Sequence, residues 1–308
     1  MFDKFQNRLF LSGDLVLKTA LRIGAGRSIE PVGTDLPVVK DASDKPYIPG
    51  SSFKGILRSR IEQFIRAQIP GRYGACNPVD ENEWCIPSKS IERDGDIIVV
   101  GMETLKKKAE NEAKKEKSEW YRRQSDYLTK LARQKTCLVC QLFGSPWLAS
   151  HVLVKDLLVD EKLWFNQYQL RDGVAIDRET ETAGERKLYS YEVVPVDTRF
   201  LCEIVVENAT DWQLGMLMLA LLPFERGEIA IGGARSRGLG RVQVHWIERK
   251  YFAANGDAEQ FIKYLRGEDV SQNIDDKDEE GKSLIDIWID AFICKLTELK
   301  KKGGQVDA

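Results

Sequence analysis

Nothing in this 308-residue sequence approaches the roughly 18 consecutive apolar residues that a membrane-crossing helix requires, and residues 1–13 carry Asp3, Lys4 and Arg8 where a secretory leader needs an unbroken apolar stretch. The sequence therefore predicts a soluble, cytoplasmic protein with no membrane attachment. Histidine is nearly absent: His151 and His245 are the two examples, so the commonest general acid or base is available at two positions only. A one-signed charge is also missing, because 46 Lys and Arg against 48 Asp and Glu leave a formal net charge of −2. Spread evenly, that balance would argue against a nucleic-acid-binding protein. The spread is uneven. Eleven Lys or Arg meet five acids between Lys106 and Lys135, whereas Glu268 to Glu280 holds seven acids and one base. A basic groove on one side and an acidic segment elsewhere are compatible with such a total.

What is present is a hydrophobic content of 43%, enough for one substantial core with insertions. Leu9, Leu11, Leu15, Leu17, Leu21 and Ile23 share one parity while Ser12, Asp14, Lys18 and Arg22 share the other, which predicts a long half-buried first strand. After a loop rich in Gly and Pro, Ser51 or Ser52 can cap a helix whose Phe53, Ile56, Leu57, Ile61, Phe64 and Ile65 form one apolar stripe. Residues 70–150 lose this regularity and read as an insertion, with a strand candidate at 97–100 and a charged helical stretch at 103–133. Residues 151–158 alternate again, and 172–195 read as an exposed hairpin. A strand at 200–207, a helix capped by Thr210 with Gln213 as its capping-box partner, and strands at 228–231 and 241–248 repeat the opening plan.

The predicted class is α+β: a ferredoxin-like split βαβ core of the kind used by RNA-recognition modules, with an inserted metal-binding subdomain and a C-terminal helical extension. Residues 1–250 form the expected single domain. Residues 251–308 form the expected tail, helical and amphipathic from Ile247 onward with an acidic linker near 275–280.

Two segments combine backbone freedom with cations. In Ile231-Gly-Gly-Ala-Arg-Ser-Arg-Gly-Leu-Gly-Arg241, Gly232, Gly233 and Gly238 allow close approach while Arg235 and Arg237 offer forks to phosphate oxygens; the plainer alternative is a hairpin whose arginines are solvated. A strand on both sides argues against phosphate-binding loops that must open a helix. In Tyr47-Ile-Pro-Gly-Ser-Ser-Phe-Lys-Gly-Ile-Leu-Arg58, Ser51 and Ser52 lie at a helix N-terminus with Lys54 and Arg58 on the next turns, which suits an anion, ordinary capping being the alternative. Cys137-x-x-Cys140 has the turn spacing with which two thiolates grip Zn²⁺, and Cys76 with Cys85 can complete a structural four-sulfur site. The long gap between Cys76 and Cys85 leaves His151 as a substitute ligand, and a redox dithiol as the competing use of the pair. Cys202 and Cys294 are expected in the core.

The Pro-Gly-Ser-Ser-x-Lys-Gly-x-x-Arg run at 49–58 and the Gly-Gly-Ala-Arg-Ser-Arg-Gly-Leu-Gly run at 232–240 closely resemble the two signature motifs of the repeat-associated mysterious protein (RAMP) superfamily. Within it the chain resembles the repeating, thumb-bearing backbone subunit of type III CRISPR effector complexes, in the type III-D-like form with a cysteine-rich insertion, because Gly33-Thr-Asp-Leu-Pro-Val-Val-Lys-Asp41 is similar to its cleavage loop. The resemblance implies CRISPR RNA, complementary target RNA, neighbouring backbone copies and other complex subunits as partners. It also implies an endoribonuclease that cuts target RNA at regular intervals, with Asp35 as the catalytic residue and Mg²⁺ or a similar divalent ion in the cut. Read alone, Asp35 is equally a turn former, with Asp41 and Asp44 as local competitors. The hairpin at 172–195 resembles the family's thumb, with Arg178, Arg186, Lys187, Tyr189 and Tyr191 as charge and stacking partners. Two alternatives stand beside this: a backbone subunit that does not cut, and a CRISPR-RNA-processing nuclease, which would ordinarily need a catalytic histidine.

Overall fold

The computed structural model describes residues 4–26, 34–94, 96–115, 120–176, 183–254 and 257–301, with 120–123, 175–176 and 183–188 described by their backbone alone. In chain order the strands are β1 (Asn7–Leu17), β2 (Tyr47–Ile48), β3 (Ile91–Arg93), β4 (Asp96–Val99), β5 (Val152–Val154), β6 (Leu157–Leu158), β7 (Gln169–Ile176), β8 (Ala183–Val193), β9 (Arg199–Glu207), β10 (Ile229–Ala230), β11 (Arg241–Ala253) and β12 (Gln272–Asn273). The α-helices are α1 (Gly50–Gln68), α2 (Met102–Lys115), α3 (Trp120–Lys135), α4 (Leu138–Phe143), α5 (Asp211–Glu225), α6 (Ala258–Leu265) and α7 (Leu284–Lys301).

The alternation of β1 does what its pattern predicts: Leu9, Leu11, Leu15 and Leu17 are fully buried, and Ser12 and Asp14 lie on the other face. The strand ends at Leu17, earlier than its sequence parity suggests. Its partners are antiparallel on both sides, β11 and β9, and the main sheet runs β10-β11-β1-β9-β5 with β12 beside β11. Each strand-helix-strand unit, β1-α1-β5 and β9-α5-β11, is thus split by a strand of the other unit. The stripe of α1 packs on the leucines of β1, and Phe53 meets Phe224 of α5 with ring centroids 5.0 Å apart. The capping box at Thr210 and Gln213 forms as the sequence predicts.

The C-terminal segment departs from expectation. Residues 247–253 continue β11 rather than starting a helix, because Asn7 to Ser12 of β1 need hydrogen-bonding partners and find them at Glu248 to Ala253. Helix α7 buries Trp288, Phe292, Leu296 and Leu299 against α5, and Trp288 packs edge-on to Tyr251 of β11 at 5.1 Å. Residues set apart as a tail therefore complete the same core, which explains why α5 is apolar nearly all round: the sheet lies on one side and α7 on the other. Cys294 falls off the α7 stripe and is exposed, contrary to the expected core position, while Cys202 is fully buried. Between α1 and β5, the charged stretch forms α2 and α3, packed on each other with Met102, Leu105, Ala109 and Ala113 inside.

Trp288→Ala should destabilise the protein by about 3–5 kcal/mol in urea unfolding, as for a large core aromatic. Cys294→Ser should change the midpoint little, within about 0.5 kcal/mol.

Candidate functional site

β7 and β8 pair antiparallel as the hairpin that the sequence predicts at 172–195, starting three residues earlier at Gln169, and its base is bound to the loop that carries Asp35. Leu36 bridges Tyr191 in parallel, and Glu192 donates its backbone N–H to the Leu36 carbonyl at 3.1 Å. The Glu192 carboxylate, 7% exposed, accepts the Val38 N–H at 3.1 Å and the Lys40 ammonium at 3.1 Å. Asp35 is exposed, and its Oδ2 accepts the Ser190 backbone N–H at 2.8 Å. Its local competitors have other work: Asp41 Oδ1 accepts the N–H groups of Ser43 and Lys45 and so shapes a turn, and Asp44 pairs with Lys40 at 3.3 Å.

The glycine-rich segment closes onto the same place. Gly232 has φ +76° and a Cβ there would strike the Arg22 carbonyl, so this position requires glycine. The Gly233 N–H donates to that carbonyl at 2.8 Å and the Gly240 N–H to the Ala20 carbonyl at 2.8 Å. Arg235, Arg237 and Gly238 are exposed, and Arg237 donates to the Tyr189 hydroxyl at 2.7 Å. The rings of Tyr189 and Tyr191 lie 6.1 Å apart. Asp35, the hairpin base and the Gly/Arg turn therefore form one neighbourhood, in which Asp35 lies 155 residues in sequence from Ser190 and Arg237 lies 48 from Tyr189. Arg178 lies outside the described residues.

The second signature segment is placed differently from its expectation. Helix α1 begins at Gly50 with Pro49 as N-cap, so neither Ser51 nor Ser52 caps it; the Gly50 N–H is taken by Asp156 Oδ1 at 2.7 Å. Lys54 turns inward to the Ser150 hydroxyl at 2.7 Å and the Val152 carbonyl at 2.9 Å, and burial, then the Arg58 charge, lowers its pKa. Arg58 also turns inward. It donates to the Gly144 carbonyl at 3.0 Å, to Glu62 at 2.7 Å and to Cys140 Sγ at 3.1 Å. These cations hold the insertion to α1, because a buried charge on this helix needs a partner and the insertion supplies it.

Cys76, Cys85, Cys137 and Cys140 are all buried, and their sulfurs lie within 4.8 Å of one another. Four thiolates around a metal with bonds of about 2.3 Å require sulfur separations of about 3.8 Å, so the group can hold a metal ion. Cys137 caps α4 and accepts the Cys140 N–H at 3.5 Å, the turn that a C-x-x-C pair uses to aim both sulfurs one way. His151 is not in the group; its Nδ1 sits 2.7 Å from the Glu207 carbonyl and burial lowers its pKa. Hydrogen bonds from the other three thiols lower the pKa of Cys76, whereas its neighbours and burial push Cys137 up. Without a cation the cluster cannot ionise fully, so metal binding must expel protons.

The outer layer of this cluster was not legible beforehand. Glu62, 6% exposed, lies between Arg58 and Arg66, with Arg66 at 3.2 Å, and Arg66 reaches the Cys76 carbonyl at 2.6 Å. One face of α1 thus touches Cys140 through Arg58 and Cys76 through Arg66. The i, i+4, i+8 spacing of Arg58, Glu62 and Arg66 was the available signal. Burial and the Cys140 and Glu62 charges act oppositely on Arg58, and the charges prevail, keeping its pKa above the usual value.

Protein purified under reducing, chelator-free conditions should carry about one metal equivalent, and its affinity should fall as pH falls because the thiols regain protons. Glu62→Gln should speed metal transfer to a chelator by about 10-fold or more, as outer-layer changes do.

The RAMP superfamily matches residues 14–243 of the chain. The chain is also similar to the CRISPR system Cms endoribonuclease Csm3 of Methanothermobacter thermautotrophicus, 43% identical over 61 residues, and to that of Methanocaldococcus jannaschii, 37% identical over 59 residues. Each match covers 19% of this chain, with 25% and 24% of the respective relative. Because the superfamily match extends from the middle of β1 into β11, and takes in both the turn of Arg235 and Arg237 and the start of α1, the chain belongs to the RAMP superfamily.

Proposed function

We propose that the chain is a CRISPR-RNA-binding backbone subunit of a type III effector complex, built on a ferredoxin-like core, that works in the cytoplasm, holds guide and target RNA and cuts the target at regular intervals. The observation that carries this is the attachment of the Asp35 loop to the base of an exposed hairpin, with the Gly/Arg turn against the same base. Such an arm can part the stacked bases while the Asp35 carboxylate faces the exposed strand. Neighbouring copies and other subunits of the complex are its protein partners in this reading, and the names of the two similar proteins support its CRISPR and endoribonuclease parts.

The chemistry is RNA's own. The ribose 2′-oxygen attacks the adjacent phosphorus, the P–O5′ bond breaks, and the products are a 2′,3′-cyclic phosphate and a 5′-hydroxyl. Asp35 accepts the proton from the 2′-hydroxyl, and solvent water protonates the leaving 5′-oxygen. Among the described residues the one group of three or more metal-ligand side chains is the four cysteines, so Mg²⁺ at Asp35 would be held by that carboxylate with water and RNA phosphate, where it supplies charge neutralisation. Zn²⁺ is the metal assigned to the cysteines, in a structural role that fixes the insertion on α1. Arg235, Arg237 and the turn of Gly232, Gly233 and Gly238 face the RNA backbone, with Ser51 and Ser52 at the start of α1, and Arg178 joins them on the strength of the sequence resemblance. Lys54 and Arg58 act through the fold.

A non-cutting scaffold is the second reading, favoured by the bond from Ser190 to Asp35, which gives this carboxylate a structural use. A processing nuclease has less support: His151 is buried on the Glu207 carbonyl and His245 lies on β11 opposite Asp14.

Asp35→Asn keeps an oxygen for the Ser190 N–H and removes the charge. In an assembled complex it should reduce divalent-dependent cutting by about 10²–10⁴-fold with guide and target affinity retained. Cutting at the wild-type rate would reject Asp35, and a wild-type complex that binds yet never cuts would leave the scaffold. Arg235→Ala with Arg237→Ala should flatten the salt dependence of guide binding by roughly one to two units of slope, whereas Lys54→Ala should show itself first as lost thermal stability.

A further inference from the structure

Arg22 belongs to no motif singled out in the sequence, yet its backbone lies where the three motif segments meet. Leu21 exchanges both backbone hydrogen bonds with Val194 at the hairpin base, at 2.9 and 2.8 Å. The Ile23 carbonyl takes the Val39 N–H at 2.8 Å, from the return arm of the Asp35 loop, and the Arg22 carbonyl takes the Gly233 N–H. Main-chain bonds therefore fix this residue, and its side chain is not needed for them.

The side chain is left without a countercharge. Arg8, Arg58, Arg66, Arg199 and Arg249 each reach a carboxylate, but Arg22 has no ion pair among the described residues. Its Nε is buried and without a hydrogen-bond partner. A buried donor with no acceptor is costly and calls for an explanation. The guanidinium carbon lies 5.6 Å from the centre of the Tyr191 ring, a cation-π contact that orients the group without using a hydrogen-bond donor. Gly24 and Gly233 flank its terminal nitrogens: a Cβ at either would lie 3.6 Å from Nη2 and 3.7 Å from Nη1, so the missing side chains keep the fork approachable. Tyr191 follows Ser190, the residue that holds Asp35.

We propose that Arg22 binds the phosphate of the target RNA at which the cut is made. A guanidinium fork presents paired donors that match two phosphate oxygens, and here it lies over the ring of Tyr191, the residue next in the hairpin to the Ser190 that holds the general base. The inference rests on the cleavage reading above, with Asp35 as the proton acceptor. Charge gathers on the phosphate oxygens as the 2′-oxygen attacks, and Arg22 stabilises it there.

The test uses the assembled complex with a complementary RNA and compares Arg22→Ala, Arg22→Lys and Asp35→Asn. Arg22→Ala should lower the cutting rate at saturating target by about 10²-fold or more, with Arg22→Lys intermediate and the melting temperature unchanged. Added guanidinium ion should recover part of the Arg22→Ala rate and none of the Asp35→Asn rate, a response that a merely structural residue would not give. The salt slope of target binding should fall by roughly one unit while that of guide binding stays the same. Wild-type cutting by Arg22→Ala overturns the proposal, as does a loss confined to guide binding, which would move Arg22 to the guide strand. If the wild-type complex does not cut at all, the cleavage reading fails separately, and an unchanged target-binding slope in Arg22→Ala then removes the phosphate contact as well.

Discussion

Two-sided pairing of β1 is the constraint from which the rest follows. A strand bonded to β11 over one edge and to β9 over the other cannot shift by one residue without turning Leu9, Leu11, Leu15 and Leu17 out of the core. Fixing β1 fixes where the chain emerges after Leu17, and that exit carries Arg22 and the loop to Asp35. The same register aligns Arg241 with the end of β1: the Lys18 N–H donates to its carbonyl at 2.8 Å, which sets the glycine-rich turn beside the emerging chain. The candidate site is therefore built at one end of a strand whose other functions are all structural.

Much of this was legible in the sequence because local rules decide it. Period-two alternation shows β1, a capping box shows α5, and two glycine-rich runs show where backbone approaches backbone closely. What stayed hidden depends on distant partners. Lys54 and Arg58 read as cations suited to an anion because the carbonyls, hydroxyl and sulfur they meet belong to residues 140–152. The continuation of β11 through Ala253 was masked because its reason lies in the unpaired edge of Asn7 to Ser12. Glu192 looked like one more acid in a polar arm, yet it is the buried counterpart of Val38 and Lys40.

The α1 face that faces the cysteines shows why burying charge here is tolerable. Glu62 alone would be poorly solvated at 6% exposure, but two guanidinium groups bracket it, and each of those has a second acceptor in the insertion. Removing any member strands the others, so the insertion and the signature helix rise and fall together. The cysteine cluster is in this sense continuous with the core rather than an appended knuckle.

The hairpin divides its duties by parity. Tyr189 and Tyr191 turn to Arg237 and Arg22, while Ser190 and Glu192 serve the Asp35 loop. An insertion of a single residue at the base would exchange these two sets and dismantle both, whereas paired additions farther out would leave them untouched. Each added pair lengthens the arm by about 6–7 Å. The arm's span is thus free to drift in evolution, or to be altered by design, in steps of two residues per strand, without disturbing the groups at its root.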